Sequence, residues 1–360
     1  MNPVRSLSVR NRDVQNRYRA SGQAGIKHKQ KESVRTFFLP KTSNGVKKVV
    51  TIGGGTGSYM VLRGLKKFPF DITAVVTIFD SGGSAGTLRD EFGILPPGDL
   101  RRCLIALSEG KRRAVLRDLF NFRFDKKGSS LHGHSFGNLF LLALSEIYGS
   151  DIEAIKKASI LLNLKGRVLP VSLDNSHLHA TLEDGTEIVG ETNIDVPKHN
   201  GDLHIKKVSL KPPAKIFDET DTAIREADLV VICPGDIYTS LVPNLLVGGM
   251  QEALRACKGK KIAICNSMTK WGETHDYAAS DMIHELLKYS GLKKFDYVIC
   301  NTREISPDVQ KKYAAEKKFP VRIDAGLVTC ATKIIKADLL TDSDVVRYDP
   351  ETVAKILYEL

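Results

Sequence analysis

The sequence lacks the features that would place it directly in several common classes. Its six cysteines form no CxxC pair or other metal-binding spacing, and several stand in apolar runs, so we expect buried thiols in a reducing cytoplasm. No stretch reaches the length of a membrane span, and the N-terminus has no apolar segment of the kind that a secretory signal needs. No glycine-rich stretch carries the Gly-Lys-Ser/Thr of a P-loop. We therefore expect a cytoplasmic protein outside the P-loop class.

The formal net charge of +11 is concentrated at one end of the chain. Residues 1–48 hold twelve Lys or Arg and two acids, which leaves about +1 for the remaining residues. Residues 1–46 have few apolar positions and no period, so they are predicted to form a disordered basic arm. Such an arm contacts nucleic acid or anionic lipid, or it is simply a solvated tail. Residues 47–360 are predicted to form a single domain.

Residues 47–57, KKVVTIGGGTG, are the most informative segment. The β-branched run predicts a buried strand, and the glycines predict a turn whose backbone N–H groups can approach a phosphate. A helix from about Ser58 to Lys67 would direct its positive N-terminal end at the same anion. Ser58 stands where the third glycine of a dinucleotide fingerprint belongs. The segment is therefore either a phosphate loop of another type or a tight strand–helix turn.

A second strand and a second glycine loop follow at once. Residues 71–80, DITAVVTIFD, are apolar through their middle, as a parallel strand covered on both faces should be, and they end on Asp80. An acid about 20 residues after a glycine loop often contacts a ribose hydroxyl. The loop SGGSAG occupies 81–86. Two glycine loops at the ends of adjacent strands are predicted to line one crevice.

The rest of the chain alternates strand and helix patterns. Strand-like runs occupy 228–236, 261–267 and 295–301, whereas short alternating runs between about 167 and 210 predict an antiparallel insertion. The predicted fold is α/β, with a doubly wound, mostly parallel, Rossmann-like sheet and a small antiparallel β insertion. Polar residues recur at the predicted strand ends, where open α/β sheets bind ligands, although turn and N-cap chemistry explains each of them singly.

Five segments occur in an order that resembles one family: GGGTGSYMVLRGL, SGGSAGTLRDEFGILPPGDLRRCL, GHSFGNLFLLAL, CPGDIYTSLVPNLLV and CNSMTKWGETHDYAASDMI. Over about residues 47–350 the chain resembles the 2-phospho-L-lactate transferase-like superfamily, and within it the bacterial gluconeogenesis-factor branch. The resemblance implies a protein that binds UDP-sugars, such as UDP-N-acetylglucosamine or UDP-glucose, and regulates cell shape and cell-wall metabolism during gluconeogenic growth. Protein partners in cell-wall synthesis and a homo-oligomer are expected with it.

The ligand site expected from the strand ends and the resemblance has no assigned catalytic residue and no metal ligand. Its glycines approach the diphosphate, and Asp80 binds a ribose or sugar hydroxyl. His134 either hydrogen-bonds the ligand or caps a helix, and Arg347 is either a phosphate partner or a surface arginine. The expected ligand-binding residues are Gly54, Gly55, Thr56, Gly57, Asp80, Ser84, Gly98, Asp99, His134, Asn138, Gly235, Tyr238, Thr239, Asn266, Thr269 and Arg347.

One departure from the family pattern bears on the reaction. The branch usually has Asp-Asp-Gly-Gly-Ser-Ser-Gly in the second loop, and Ser81 here replaces the second acid. Transferase members of the superfamily use Mg²⁺ and acidic residues to move a phosphorylated lactyl group onto a deazaflavin precursor, and paired carboxylates suit such a cation. Ser81 therefore favours a binding protein with no certain cofactor, and a Mg²⁺-dependent transferase is the alternative.

A nicotinamide dehydrogenase is a further alternative. Tyr313 and Lys317 have a Tyr-x-x-x-Lys spacing, which predicts that both side chains lie on one helical face. The segment is rich in lysine and lacks an accompanying dinucleotide fingerprint. An exposed charged helix is therefore the favoured interpretation.

Overall fold

The structure, a computed structural model, describes residues 45–110 and 114–360. All but the last two residues of the predicted basic arm, 1–46, lie outside this part of the chain. A seven-stranded sheet and a separate three-stranded sheet, both accompanied by helices, confirm the predicted α/β class. Within the same part of the chain, no helix is long and apolar enough to cross a membrane.

The strands belong to two sheets. They are β1 (Lys47–Gly53), β2 (Phe70–Val76), β3 (Arg167–Pro170), β4 (His177–Leu182), β5 (Glu187–Val189), β6 (Ile205–Lys211), β7 (Leu229–Ile232), β8 (Lys260–Ile264), β9 (Phe295–Asn301) and β10 (Ala331–Ala337). The main sheet is entirely parallel, in the order β10-β9-β8-β7-β1-β2-β3. The chain order reverses between β1 and β7, and ligands bind beyond the carboxyl ends of strands at such a point.

The helices pack in two groups against the main sheet. They are α1 (Gly55–Leu65), α2 (Gly83–Phe92), α3 (Pro97–Leu107), α4 (Ala114–Asn121), α5 (Phe136–Tyr148), α6 (Asp151–Leu162), α7 (Glu191–Asp195), α8 (Asp218–Arg225), α9 (Val242–Leu245), α10 (Met250–Ala256), α11 (Ala279–Ser290), α12 (Pro307–Ala314), α13 (Leu327–Cys330) and α14 (Pro350–Glu359). In one group α1 contacts α3 and α14, and in the other α10 contacts α8 and α11. This division is what right-handed crossovers on the two sides of β1 produce.

The centre of the sheet is apolar because helices cover both of its faces. Val49, Val50 and Ile52 of β1 are buried, and Ile52 stands opposite Val75 on one side and Ile232 on the other. Burying one such side chain fully stabilises the fold by about 1.5–3 kcal/mol. The packed strand therefore fixes the backbone at the point where β1 ends and the first glycine loop begins.

The insertion is an antiparallel sheet in the order β5-β4-β6. The buried residues of β4 are Leu178, Ala180 and Leu182, which alternate with more exposed ones as the sequence predicts. The predicted boundary at about 167 lies before β3, which pairs in parallel with β2 at the edge of the main sheet. A run of four residues is too short to show a period, and β3 is buried because α3, α6 and α8 pack against it.

Candidate functional site

The first glycine loop joins β1 to α1 at the carboxyl end of the sheet. Gly54 is the N-cap of α1 and has no side chain to cap the helix. The backbone N–H groups of Thr56 and Gly57 therefore remain for an external acceptor, whereas that of Gly55 faces the carboxylate of Asp99. Gly55 has a φ of +64°, a left-handed conformation that glycine adopts without strain. A helix N-terminus of this kind favours an anion.

At two positions of the loop, close contacts leave no room for any residue larger than glycine. A Cβ on Gly54 would overlap the carboxylate of Asp99 and would lie 2.6 Å from Cγ2 of Thr77. A Cβ on Gly57 would overlap the backbone carbonyl of Pro234, at 2.7 Å from its carbon. The loop is therefore packed between α3 on one side and the segment after β7 on the other.

A cavity of about 400 Å³, here called the polar cavity, opens in front of the loop. Five carboxylates and one arginine, Arg102, contribute to its wall. The lining residues are Gly54, Gly55, Thr56, Gly57, Thr77, Asp80, Gly82, Asp99, Arg102, Glu191, Thr192, Asp195, Gly235, Asp236, Thr239 and Ser240. The excess of acids over bases means that an anion binds here only together with protons, a cation or the loop N–H groups.

Asp99 is the most buried of these acids. It lies in the first turn of α3, where its carboxylate accepts a hydrogen bond from the backbone of Gly55. Burial raises its pKa to about 6, against the opposing effect of Arg102, whose Nη1 is 3.5 Å from Oδ1. Burial also raises the pKa of Asp80, whose Oδ1 accepts a 2.8 Å hydrogen bond from the backbone of Gly82. Asp99 can therefore gain or lose a proton near neutral pH when charge enters the cavity.

Glu191 reaches the polar cavity from the insertion. Burial, and then repulsion by Asp80 and Asp195, raises its pKa to about 8. Two further contacts hold α7 against the second glycine loop, because Oγ of Ser81 accepts a 3.0 Å hydrogen bond from the backbone of Thr192 and lies 3.2 Å from its hydroxyl. Ser81 thus joins the insertion to the main sheet at the position where the family pattern has an acid.

One lysine holds three walls of the site together. Lys270 pairs with Asp195 of α7, with Asp236 after β7 at 2.8 Å and with buried Glu273 at 2.9 Å. Burial alone would lower the pKa of this ammonium, but the three carboxylates outweigh burial and raise it. Burial raises the pKa of Glu273 to about 7, against the opposing effect of Lys270.

Glu273 also fixes the segment that follows β7. Residues Ile237–Leu241 form a π-helical turn, and Glu273 accepts hydrogen bonds from the backbone of Tyr238 at 3.0 Å and from the hydroxyl of Thr239 at 3.1 Å. The turn carries Thr239 and Ser240 into the wall of the polar cavity. The loop after β8 therefore determines the shape of the loop after β7.

A second cavity, of about 620 Å³, adjoins the first. The two share Thr56, Gly57, Asp195, Gly235 and Asp236, so they form one two-part cleft on either side of the glycine loop. The second part, here called the mixed cavity, adds apolar and aromatic side chains to polar ones. Its other lining residues are Met60, Val196, Pro197, Pro234, Asn266, Ser267, Met268, Thr269, Lys270, Trp271, Glu316, Lys318, Val346, Arg347 and Tyr348.

Most of the expected ligand-binding residues line this cleft. Gly54, Gly55, Thr56, Gly57, Asp80, Asp99, Gly235 and Thr239 line the polar cavity, and Asn266, Thr269 and Arg347 line the mixed cavity. Asn266 acts on the backbone of Gly235, accepting from its N–H at 2.9 Å and donating to its carbonyl at 2.7 Å. Thr269 accepts a 2.9 Å hydrogen bond from the backbone of Phe319.

The other expected residues lie behind the walls. Ser84 is 3.0 Å from Nδ1 of His134 and accepts a 3.1 Å hydrogen bond from Asn138, so these three contact each other beside α5 and do not line the cleft. Gly98 lies under Asp80, whose Oδ2 would be 3.0 Å from a Cβ there. Tyr238 is fully buried, with its hydroxyl 3.0 Å from that of Tyr277.

The Tyr-x-x-x-Lys spacing of the dehydrogenase alternative does not place its two side chains on one helical face. Helix α12 ends at Ala314, so Tyr313 and Lys317 do not share a helical face. Tyr313 accepts a 3.1 Å hydrogen bond from the backbone of Val346, and the Lys317 ammonium lies 4.1 Å from the centre of the Trp271 ring. A positive φ of 54° at Lys317 marks the departure from the helix.

Two groups of carboxylates in the cleft have oxygen ligands for the Mg²⁺ that the transferase members use. Asp80, Asp99 and Glu191 meet in the polar cavity beside the glycine loop, and their oxygen ligands suit a hard cation. The second group, Asp195, Asp236 and Glu273, has carboxylate oxygens within 4.8 Å of one another. Lys270 already neutralises that group, so Asp80, Asp99 and Glu191 are the residues that would hold Mg²⁺, although their oxygens do not gather within 4.8 Å of one another.

Several lining residues were not expected from the sequence. Glu191 and Asp195 come from the insertion, and no local motif marks them as ligands. Arg102 and Asp236 do stand inside two of the segments that carry the resemblance, ILPPGDLRRCL and CPGDIYTS. Their places in these segments, close in sequence to Asp99 and Gly235, are the only feature of the sequence that marks them as site residues.

Comparison with known proteins places the chain among relatives of similar length and fold. The model of the family described as 2-phospho-L-lactate transferase CofD matches residues 49–340. The gluconeogenesis factor of Bacillus subtilis is 42% identical over 316 residues, which cover 87% of this chain and 98% of the relative. That of Halalkalibacterium halodurans is 43% identical, covering 87% and 96%.

The fold agrees with a solved structure as well. A crystal structure of a Bacillus halodurans protein superposes with a TM-score of 0.83 at 42% identity, covering 87% of this chain and 99% of that one. The parallel sheet and the small antiparallel sheet are therefore those of an experimentally determined homologue. The chain belongs to the 2-phospho-L-lactate transferase CofD family, in its gluconeogenesis-factor branch.

Proposed function

We propose that the protein binds UDP-sugars, such as UDP-N-acetylglucosamine or UDP-glucose, and acts as a regulatory protein for cell shape and cell-wall metabolism during gluconeogenic growth. The observation that carries the proposal is the two-part cleft on either side of an uncapped, glycine-rich helix N-terminus. A ligand whose diphosphate lies at the N-terminus of α1 would extend one of its two ends into each part of the cleft.

The chemistry of the two parts supports a ligand of this class. The loop N–H groups and Arg102 supply donors for a diphosphate, and the carboxylates of the polar cavity accept hydrogen bonds from sugar or ribose hydroxyls. The mixed cavity offers Trp271 and Met60 as apolar surface beside Asn266 and Arg347. Together the parts present an anion site, hydroxyl acceptors and apolar surface, which a nucleotide sugar requires.

The regulatory part of the proposal comes from the named relatives, which are gluconeogenesis factors. We extend the same role to this chain, with partners among proteins of cell-wall synthesis, a homo-oligomeric state and a cytoplasmic location. The six cysteines support that location because all are buried free thiols, the state that a reducing compartment maintains. The basic arm, if it binds nucleic acid or anionic lipid, would act separately from the cleft.

A Mg²⁺-dependent transferase of a phosphorylated lactyl-type group is the second candidate. Asp80, Asp99 and Glu191 favour it, because these three acids line the cavity beside the phosphate loop and are the residues that would hold a divalent cation there. When bound, Mg²⁺ would neutralise charge on a transferred phosphoryl group. Ser81 counts against this candidate, since the hydroxyl gives the loop one acidic ligand fewer.

Calorimetry distinguishes the two candidates. UDP-N-acetylglucosamine, UDP-glucose, NAD and a deazaflavin are each titrated with and without Mg²⁺. Micromolar binding of a UDP-sugar, with no turnover of the recovered ligand, supports the binding protein. Binding of the deazaflavin that requires Mg²⁺, with no UDP-sugar binding, supports the transferase and contradicts the main proposal. NAD serves as the dinucleotide control and is expected to give no heat.

A further inference from the structure

A third cavity, of about 580 Å³, lies outside the cleft and collects positive charge. It is formed by α1, the end of α3 and α4, and it shares no lining residue with either part of the cleft. Its volume falls within the range of about 300–1,000 Å³ that is usual for small-molecule sites. We call it the basic cavity.

Three cations reach the basic cavity from two helices. Arg63 lies in the last turn of α1, Lys66 is the C-cap residue of that helix, and Arg117 belongs to α4. In the part of the chain that the structure describes, no carboxylate oxygen lies within 4.0 Å of any of the three. Two of the three donate hydrogen bonds to backbone carbonyls, Lys66 to that of Ser108 at 2.8 Å and Arg117 to that of Gly110 at 3.0 Å.

Those two bonds use a small part of the donor capacity. An ammonium has three N–H donors and a guanidinium has five, so most of the donors of this cluster remain for another acceptor. The negative end of a helix dipole explains a cation at the last turn of α1 or α3, but not the convergence of three cations on one concave surface. Arginines beside a lysine are the usual means of binding phosphate oxygens.

The electrostatics agree with this geometry. Burial, followed by repulsion from Arg117 and Arg63, lowers the pKa of Lys66, and Glu109 offsets the effect in part. Like charges held together in this way favour a polyvalent anion, which reduces their mutual repulsion. Tyr59 also lines the cavity, with its ring centre 5.6 Å from the guanidinium carbon of Arg63, and offers a flat face to an organic group.

We propose that the basic cavity is a second binding site, for a small phosphate-bearing molecule, separate from the nucleotide-sugar cleft. Glu109 and Asp118 also line the cavity, so its three cations exceed its carboxylates by one. A nucleic-acid backbone fits less well than a small molecule, because the cations converge on one cavity instead of following a groove. The site shares no lining residue with the cleft, so the proposal does not rest on the ligand proposed there.

Hydrogen exchange with pyrophosphate as the probe tests the site. Segments 105–110 and 114–121 contain residues that line the basic cavity and none that line the cleft. Exchange in segment 235–240 reports on the cleft alone. At about ten times its dissociation constant, pyrophosphate is expected to slow exchange in the first two segments by up to about tenfold. Lys66→Met and Arg63→Met should each abolish this protection, and the exposed position of Arg63 makes misfolding of that variant a minor concern.

Lys67→Met is the matched control. Lys67 is the next residue in sequence, but its ammonium pairs with Glu351, so the variant should keep the full protection. Absence of protection at 105–110 and 114–121 in the wild-type chain, or equal loss in the Lys67 variant, overturns the proposal. Protection there by single-stranded RNA and not by pyrophosphate also overturns it, in favour of a nucleic-acid surface. The segment 235–240 is read separately, so failure at the cleft is distinguishable from failure here.

Discussion

The carboxylate of Asp99 occupies the space that a side chain on Gly54 would need. This contact brings an acid with a pKa of about 6 against the first turn of α1, beside the expected position of the diphosphate. Charge on the ligand and protonation of the acid are therefore coupled, because both act on the same N–H groups. The loop is built around this contact and not around glycine flexibility alone.

The Gly54→Ala variant tests that relationship. The added methyl group must displace Asp99 or Thr77, so we expect a loss of about 1–3 kcal/mol in the free energy of unfolding and at least about a tenfold loss in UDP-sugar affinity. Urea titration and calorimetry measure the two effects. Gly248→Ala is the control, since its nearest neighbour is Ala214 O at 3.3 Å and it lies outside the cleft. Unchanged affinity in Gly54→Ala would remove this part of the loop from the site.

Asn266 provides a second test, because it holds the backbone of Gly235 through two hydrogen bonds. Asn266→Ala leaves that N–H and carbonyl without their partner, and about 1–3 kcal/mol of stability should be lost together with ligand affinity. Asn301→Ala is the matched control. Asn301 accepts from the backbones of Arg303 and Leu339 at 3.1 Å, in the same way but outside the cleft. It should lose similar stability and keep the affinity; equal loss of affinity in both variants would mean that the effect is general loosening.

The contrast between these sites shows what a sequence can predict. The glycine loop and the end of β7 were predicted because each follows directly on a buried apolar run, so the strand fixes the position of the loop. Glu191 and Asp195 could not be predicted in this way, since they reach the cleft through the packing of α7 against Ser81 and Lys270. Their role depends on tertiary contacts between segments about 75 to 110 residues apart.

The strands show the same division. β1, β2, β7, β8 and β9 are buried on both faces, and their apolar runs indicate them directly. β3 has only four residues, too few to show a period, and was assigned to the insertion; its burial comes from the packing of α3, α6 and α8 against it. β10 lies at the other edge of the sheet and carries Lys333 and Lys336, a pattern that protects an edge but hides the strand from a search for apolar runs.

Lys270 is expected to be essential for stability because it balances the buried carboxylate of Glu273. Removing one partner of a buried pair usually costs about 3–5 kcal/mol, so Lys270→Met should lower the free energy of unfolding by about that amount. Adding Glu273→Gln should recover part of the loss. The exposed pair of Lys48 and Glu226 is the control, where Lys48→Met should cost about 0–1 kcal/mol. Equal effects of the two lysine variants in urea titrations would contradict a buried ionic network.

Glu191 predicts a dependence of stability on pH. Its pKa is raised from an ordinary 4.5 to about 8, so between these values the folded chain holds a proton that the unfolded chain has released. Its contribution to stability is therefore full below the ordinary value and is lost as pH rises towards the folded one. The slope for one proton is at most about 1.4 kcal/mol per pH unit, with the free energy of unfolding falling as pH increases.

Glu191→Gln should remove this component of the slope and raise stability at alkaline pH, because the amide carries no charge to bury. It should also strengthen UDP-sugar binding above about pH 8, since one ionised carboxylate fewer then faces the diphosphate. Glu187→Gln, on the exposed part of β5, is the control and should leave both profiles unchanged. Urea titrations and calorimetry from about pH 5 to 9 measure the two profiles. If the wild-type and Glu191→Gln slopes coincide, Glu191 is ionised in the folded chain and the polar cavity retains its full negative charge.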